Sequence, residues 1–319
     1  MTRTRSREDL LQALKAYQES RVLLTALELD LFAALGAGAS ANEAAQCSGT
    51  DPRATEMLLN ALVALGALEK DGALFRCTEA SAFLATARTD YLHAVRKWDS
   101  WSTLTQCVRT GTTARKPGRR REEDGIEAFI GAMHARALGA APALLEVIGP
   151  ANVHRMLDLG GGAGTFVLAF AQANPHLQAE VLDLEDVVPI TQRHIRAVGF
   201  AERVSARVGD LRTDELGSGY DLILASAVCH MLDEAENQDL FRRCARALVP
   251  GGRLAIRDFL LEPGGTAPKE AALFALNMLT STNRGNVYTE AQYREWLSLA
   301  GFRTIDRHRS GEDLLIARK

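Results

Sequence analysis

The sequence predicts an α/β fold: a doubly wound, mostly parallel sheet of seven strands, the last one antiparallel, behind a mainly helical N-terminal domain. Three observations predict it. From residue 153 onward, short apolar runs alternate with helical stretches, the pattern of parallel strands joined by helices. A glycine turn, Asp158-Leu-Gly-Gly-Gly-Ala-Gly164, separates the first such run from the first helix. Ahead of it, residues 8 to about 90 read as helices ending in a small hairpin.

The N-terminal elements follow from local chemistry. Tyr17 to Leu35 is apolar at helical spacing and reads as one long helix. Ser40, with Glu43 three residues on, predicts a capped short helix. Pro52 fits the first turn of a helix running to Leu65. Asp71-Gly72 marks the hairpin turn between Gly66 and Thr78. Helix, helix and hairpin form a winged-helix pattern. Such modules often bind DNA, but the second helix carries only Arg53 and Glu56 among Met57, Leu58, Leu59, Leu62, Val63 and Leu65. A helix that apolar packs against protein rather than phosphates.

Residues 91 to about 148 read as linking helices. Trp98 and Trp101 fall on one helical face. Ala114 to Asp124, with Pro117-Gly118 and mixed charges, reads as an exposed loop. Arg119 to Arg121 could meet a phosphate there, or simply be solvated. Beyond lie expected strands at Val153–Leu159, Ala179–Leu184, Val204–Val208, Asp221–Ser226 and Arg253–Asp258. Thr304–Arg307 and Leu314–Ala317 read as an antiparallel pair around Ser310-Gly311. The expected domains are 1–95 (winged helix), 96–148 (linking helices beside the substrate) and 149–319 (the Rossmann-like sheet).

Composition narrows the function classes. The chain has 319 residues, 47% hydrophobic and 24% charged, which fits a globular protein of two ordinary domains. With a formal net charge of −3, no global basicity points toward nucleic acid. Cys47, Cys77, Cys107, Cys229 and Cys244 are odd in number and form no C-x-x-C. That argues against disulfides or zinc and for a reducing cytoplasm. No apolar run is expected to cross a membrane, and the N-terminus lacks a secretory apolar core.

The glycine turn selects a cofactor. A dinucleotide site wants G-x-G-x-x-G, with pyrophosphate at the helix N-terminus. Here glycines stand at 160, 161, 162 and 164, so the last comes one residue early, and Asp158 precedes the turn. A carboxylate repels phosphate and attracts ammonium. The expected cofactor therefore has adenosine, a cationic amino-acid group and no phosphate. S-adenosylmethionine (SAM), which leaves S-adenosylhomocysteine (SAH), meets that description. Asp158, Gly160, Gly162 and Gly164 would face it; the alternative is a plain tight turn.

Other strand ends supply further candidates. Asp183, beside Leu184, could accept from the ribose hydroxyls or cap the next helix. Asp210 and Leu211 could hold the adenine or form a turn. His230 follows the fourth strand, ahead of the capping-box pair Asp233 and Glu236. An imidazole there suits deprotonation of a phenol near neutral pH, or it closes the loop structurally. Asp258 ends the fifth strand and could orient His230 or pair with Arg257. Phe274, Asn277 and Met278 share one helix face. Core packing accounts for Phe274 and Met278, whereas a buried Asn277 needs partners.

With these residues in view, the chain resembles the class I SAM-dependent methyltransferases. More narrowly, it resembles the small-molecule O-methyltransferases with an N-terminal winged-helix dimerisation domain, of the plant caffeate and acetylserotonin O-methyltransferase type and its bacterial natural-product branch. The carrying segments are Ser20–Phe32, the 157–164 motif, Gly209-Asp210, Leu248-Val-Pro-Gly-Gly-Arg253 and Tyr288-Thr-Glu-Ala-Gln-Tyr293. The resemblance implies a homodimer through the N-terminal domain, and SAM held by the glycine motif, Asp183, Asp210 and Leu211. It implies His230 as general base with Asp258 beside it; some relatives use a metal held by a His-Asp pair, and Met231 argues against that site here, so no metal is expected. It places Phe129, Met133 and His134 over cofactor and substrate. Plant members follow the base with Asp, where this chain has Met231, and a second flanking acid aligns near Val287. The expected reaction is methyl transfer to a hydroxyl of a small aromatic or polyketide-like molecule. Trp98, Trp101, Met133 and Asn277 would surround that acceptor. C- or N-methylation, a non-methylating relative and a SAM-binding DNA regulator are the other readings.

Overall fold

A computed structural model describes residues 4–86, 88–114, 123–310 and 312–319. The chain divides into two compact units, Met1–Asp99 and Ser100–Lys319.

The first unit opens with α1 (Arg7–Ala13), α2 (Tyr17–Glu28) and α3 (Leu31–Leu35). The single helix expected over Tyr17 to Leu35 is thus broken. Asp30 takes a left-handed conformation, φ 57°, which aspartate tolerates better than most residues. The break lets Leu31, Phe32 and Leu35 turn into the core. β1 (Ala39–Ser40), α4 (Ala41–Ser48), α5 (Pro52–Ala64), β2 (Leu68–Asp71) and β3 (Leu74–Cys77) complete a winged helix. Ser40 and Glu43 form the reciprocal capping box their spacing predicts. Gly72, φ 58°, turns the hairpin. The sheet order is β1-β3-β2; β1, only two residues long, carried no sequence signal. α5 buries Thr55, Leu59 and Leu62; Leu59 and Leu62 join this core, while Met57 and Leu65 stay exposed. α6 (Arg88–Ser102) carries the boundary between the units.

The second unit begins with α7 (Leu104–Thr110) and α8 (Glu123–Ile148). Residues 115–122, most of the expected Arg-rich loop, lie outside the described residues, while Glu123 and Asp124 already belong to α8. Gly125–Ile148 is long and apolar enough to cross a membrane by length and composition. Ala141, Leu144 and Ile148 instead pack on the sheet, and His134, Arg136 and Glu146 interrupt the run.

The main sheet comprises β4 (Arg155–Leu159), β5 (Gln178–Asp183), β6 (Val204–Val208), β7 (Tyr220–Ser226) and β8 (Leu248–Asp258). They alternate with α9 (Thr165–Ala173), α10 (Val188–Ala197) and α11 (Glu234–Ala247). After β9 (Leu260–Leu261), α12 (Lys269–Ser281), β10 (Tyr288–Thr289) and α13 (Glu290–Leu299), the chain ends in β11 (Thr304–Ser310) and β12 (Glu312–Arg318). The order is β11-β12-β8-β7-β4-β5-β6. β4 to β8 run parallel, and β12 is antiparallel to both its neighbours. The last strand is therefore antiparallel as expected, but inserted between β8 and β11. β7 shows why the sheet is stable. Ile223 and Ala225 face one core with Phe241 and Trp296; Leu222 and Leu224 face the other with Phe166 and Phe170. Each buried Ile, Leu or Phe among them contributes about 1.5–3 kcal/mol relative to exposure. The strand ends at β4, β5, β7 and β8 thereby become fixed platforms.

Candidate active site

The glycine turn joins β4 to α9. Gly160 and Gly162 have φ of 64° and 57°, a region that disfavours any residue with a Cβ. Gly160 has a second constraint: a Cβ there would lie 2.6 Å from Val228 Cγ1. Gly161 has only a spatial one, since its Cβ would meet Asp158 Oδ2 at 2.6 Å. Gly164 is the N-cap of α9. Gly160 N–H donates to Leu182 O at 2.7 Å, and Gly162 N–H donates to Asp183 Oδ2 at 2.8 Å. Thr191 of α10 donates to Gly162 O at 2.5 Å. The turn is thus bound to the end of β5 and held open toward the side where no Cβ intrudes.

Asp158 lies beneath this turn, fully buried, and neither carboxylate oxygen has a hydrogen-bond partner among the described residues. Burial pushes its pKa well above the ordinary carboxylate range, and the nearby Asp183 charge adds to the rise. An unpartnered buried carboxylate is costly and is stabilised by a cation. Burial also raises Asp183, against the Gly162 and Leu184 N–H groups that favour its charge. Leu184 N–H donates to Asp183 Oδ1 at 2.8 Å, while the Leu184 side chain is exposed. The charge, the bare backbone and the acid at the end of β5 fit the amino-acid and ribose parts of SAM.

Asp210 Oδ1 accepts from Arg212 N–H at 2.9 Å. Leu211 is buried, its Cδ2 3.7 Å from where a Gly160 Cβ would stand.

His230 sits in a short 3-10 turn, Cys229–Met231, after β7. Its Nδ1 lies 2.7 Å from Asp258 Oδ1, and its backbone N–H donates to Asp258 Oδ2 at 3.1 Å. Phe259 N–H donates to Asp258 Oδ1 at 2.8 Å, fixing the carboxylate on the end of β8. Asp258 is 1% exposed and His230 6%. Arg257 Nη1 donates to Ser226 Oγ at 3.2 Å. Met231 is half-buried and Val287 buried; neither brings a charge. Asp233 and Glu236 form the expected capping box on α11.

The other candidates divide. Phe274 meets the His230 ring edge-on at 4.8 Å and lies against Phe259 at 4.2 Å. Asn277 is buried and accepts from Trp101 Nε1 at 3.3 Å; Met278 is buried one residue on. Phe129 joins Ile126, Ile130, Ala163, Val187 and Ile190 against the glycine turn. His134 Nδ1 pairs with Thr165 Oγ1 at 2.7 Å, and Met133 is half-buried beside it. Trp98 belongs to the first unit, with the Arg21 guanidinium 5.6 Å from its ring. Sequence reasoning missed Val228, Thr191, Phe259 and the Thr165–His134 pair, because each acts through a contact made far along the chain.

A seven-stranded sheet with its last strand inserted antiparallel, a glycine turn above a buried acid and a His–Asp pair at the ends of the next two strands define a SAM-dependent methyltransferase. Residues 113–303 match the O-methyltransferase domain and residues 11–87 the O-methyltransferase dimerisation domain. The chain belongs to this O-methyltransferase family, whose members act on small molecules and natural products. It is 34% identical over 296 residues to 3-hydroxy-5-methyl-1-naphthoate 3-O-methyltransferase of Streptomyces sahachiroi, covering 89% of this chain and 86% of the relative. It is 31% identical over 318 residues to the tetracenomycin polyketide synthesis 8-O-methyl transferase TcmO of Streptomyces glaucescens, covering 95% and 94%. Among solved structures, human N-acetylserotonin methyltransferase in complex with SAM superposes with a TM-score of 0.85 at 25% identity, covering 100% of this chain and 99% of that one.

Proposed function

We propose that the protein transfers the methyl group of SAM to a hydroxyl of a small aromatic or polyketide-like acceptor, with His230 as general base. The observation that carries this reading is the buried His230–Asp258 pair at 2.7 Å. Asp258 accepts from Nδ1–H, which leaves the Nε2 lone pair to take the hydroxyl proton. The same carboxylate stabilises the imidazolium that results. SAM, when bound, supplies a methyl group already activated by its sulfonium. Asp158 and the glycines at 160, 162 and 164 would hold its amino-acid end, Asp183 and Leu184 its ribose, and Asp210 and Leu211 its adenine. Phe259 and Phe274 form an aromatic wall beside the base, which favours a planar acceptor. The relatives named for naphthoate and tetracenomycin chemistry agree with that class. Trp101, Phe129, Met133, His134, Asn277 and Met278 are assigned to the surroundings of acceptor and cofactor.

We assign 1–95 to dimerisation, 96–148 to linking helices and 149–319 to SAM binding, in a cytoplasmic homodimer. α1 supports the dimer: it buries none of its residues and exposes Leu10 and Leu11, followed by exposed Leu14 and Tyr17, an apolar set suited to a second chain. The test is product analysis by mass spectrometry with methyl-labelled SAM and a panel of hydroxynaphthoates, other phenols, amines and keto acids. Label on a phenolic oxygen is expected. Label confined to nitrogen or carbon, or none from a protein that binds SAH, contradicts the assignment.

A further inference from the structure

We propose that Asn237 and Tyr288 are positioning residues for His230: together they hold the 229–233 turn so that the imidazole meets Asp258. The proposal rests on His230 being the base. Asp258 is fixed at the end of β8, so the other half of the pair depends on where the turn sits. A displacement of about 1 Å would carry a 2.7 Å contact out of hydrogen-bond range.

Asn237 stands in the first turns of α11 and is completely buried. Its Nδ2 donates to Cys229 O at 3.0 Å, Asp233 O at 3.0 Å and Leu232 O at 3.4 Å. These three carbonyls bracket His230 on both sides. Asn237 Oδ1, by contrast, has no partner among the described residues. A buried amide that leaves one end unsatisfied destabilises the fold, so the arrangement is directed at the turn. The Tyr288 hydroxyl donates to the same Leu232 O at 2.6 Å. Its ring is held edge-on by Trp296 and Tyr293, at 4.9 and 6.1 Å. From a third direction the chain at Gly285 closes on the turn, where a Cβ would stand 2.5 Å from His230 O. The backbone on either side of the base is thereby held by an amide from α11 and a phenol from β10.

The test compares wild type, Asn237→Leu and Tyr288→Phe as full-length protein with SAH, by NMR of isotope-labelled histidine side chains and by thermal melting. In wild type, His230 is expected as a single Nδ1–H tautomer with a downfield hydrogen-bonded proton. Asn237→Leu loses that signal and mixes tautomers, while SAH affinity is unchanged. Tyr288→Phe, which removes one hydroxyl, shows the same loss to a smaller degree and carries the test should Asn237→Leu not fold. Unchanged His230 signals in the folded variants overturn the proposal. Turnover of His230→Gln is a separate measurement: an undiminished rate there removes the base assignment and leaves the ring geometry result standing.

Discussion

Alanine substitution at two neighbouring glycines separates backbone strain from close approach. Gly162 has φ 57° and its Cβ would find only Ile130 Cδ1, at an ordinary 3.6 Å. Gly162→Ala therefore costs the left-handed penalty alone, about 1–2 kcal/mol. Gly160 has a similar φ, 64°, but its Cβ would stand 2.6 Å from Val228 Cγ1. Ordinary carbon contacts are about 3.5–4.0 Å, so the overlap is roughly 1 Å. Val228 is buried at 4% exposure and β-branched, with little freedom to move aside. Overpacking adds about 1–3 kcal/mol, for a total of about 2–5 kcal/mol. In a unit of this size each kcal/mol lowers Tm by about 2–4 °C, so Gly162→Ala should lose about 2–8 °C and Gly160→Ala about 4–20 °C. Scanning calorimetry of the three proteins, each without and with SAH, reads both numbers. Equal losses at the two positions, or a larger loss at Gly162, would refute the close approach of Val228 to the turn.

Two further predictions concern the buried acid and the strained residue before the base. Asp158 has a raised pKa in the free protein, so it binds a proton that the unfolded chain has already released. Stability from this group is therefore lost as pH rises from the unfolded carboxylate value through the folded one. A bound cation favours the ionised form, so SAM binding should release a proton and tighten by up to about tenfold per pH unit within that window. Calorimetry in two buffers of different ionisation enthalpy measures the proton directly; zero release, or release that persists in Asp158→Asn, contradicts this. Ala227 holds φ 58° between β7 and the His230 turn. Ala227→Gly should relieve that strain and raise stability by about 0.5–1 kcal/mol; a lower Tm in this variant would show the residue unstrained.

Much of this architecture was legible because it is local. The capping boxes at Ser40/Glu43 and Asp233/Glu236 depend on residues three apart, and both form as spaced. The parallel strands announced themselves as apolar runs because both faces are buried. The acids at 158, 183 and 258 were visible as strand ends, which a doubly wound sheet turns toward one edge. What stayed hidden depends on distant contacts. The insertion of β12 between β8 and β11 pairs Leu314 with Arg257, which no local pattern encodes. The break at Asp30 lies inside an unbroken apolar period. Asn237 reads as an ordinary helix residue until its amide is seen on Cys229 O, and Phe259 joins the site only through Phe274.

The assignment of His230 is tested most directly by one comparison: single-turnover methyl transfer from SAM to a phenolic acceptor by wild type and His230→Gln, with SAH affinity measured on both. A positioned base contributes about 10²–10⁴-fold, so the variant should bind SAH as wild type does and transfer slower by that factor. Equal rates at equal SAH affinity would contradict the role given to the His230–Asp258 pair.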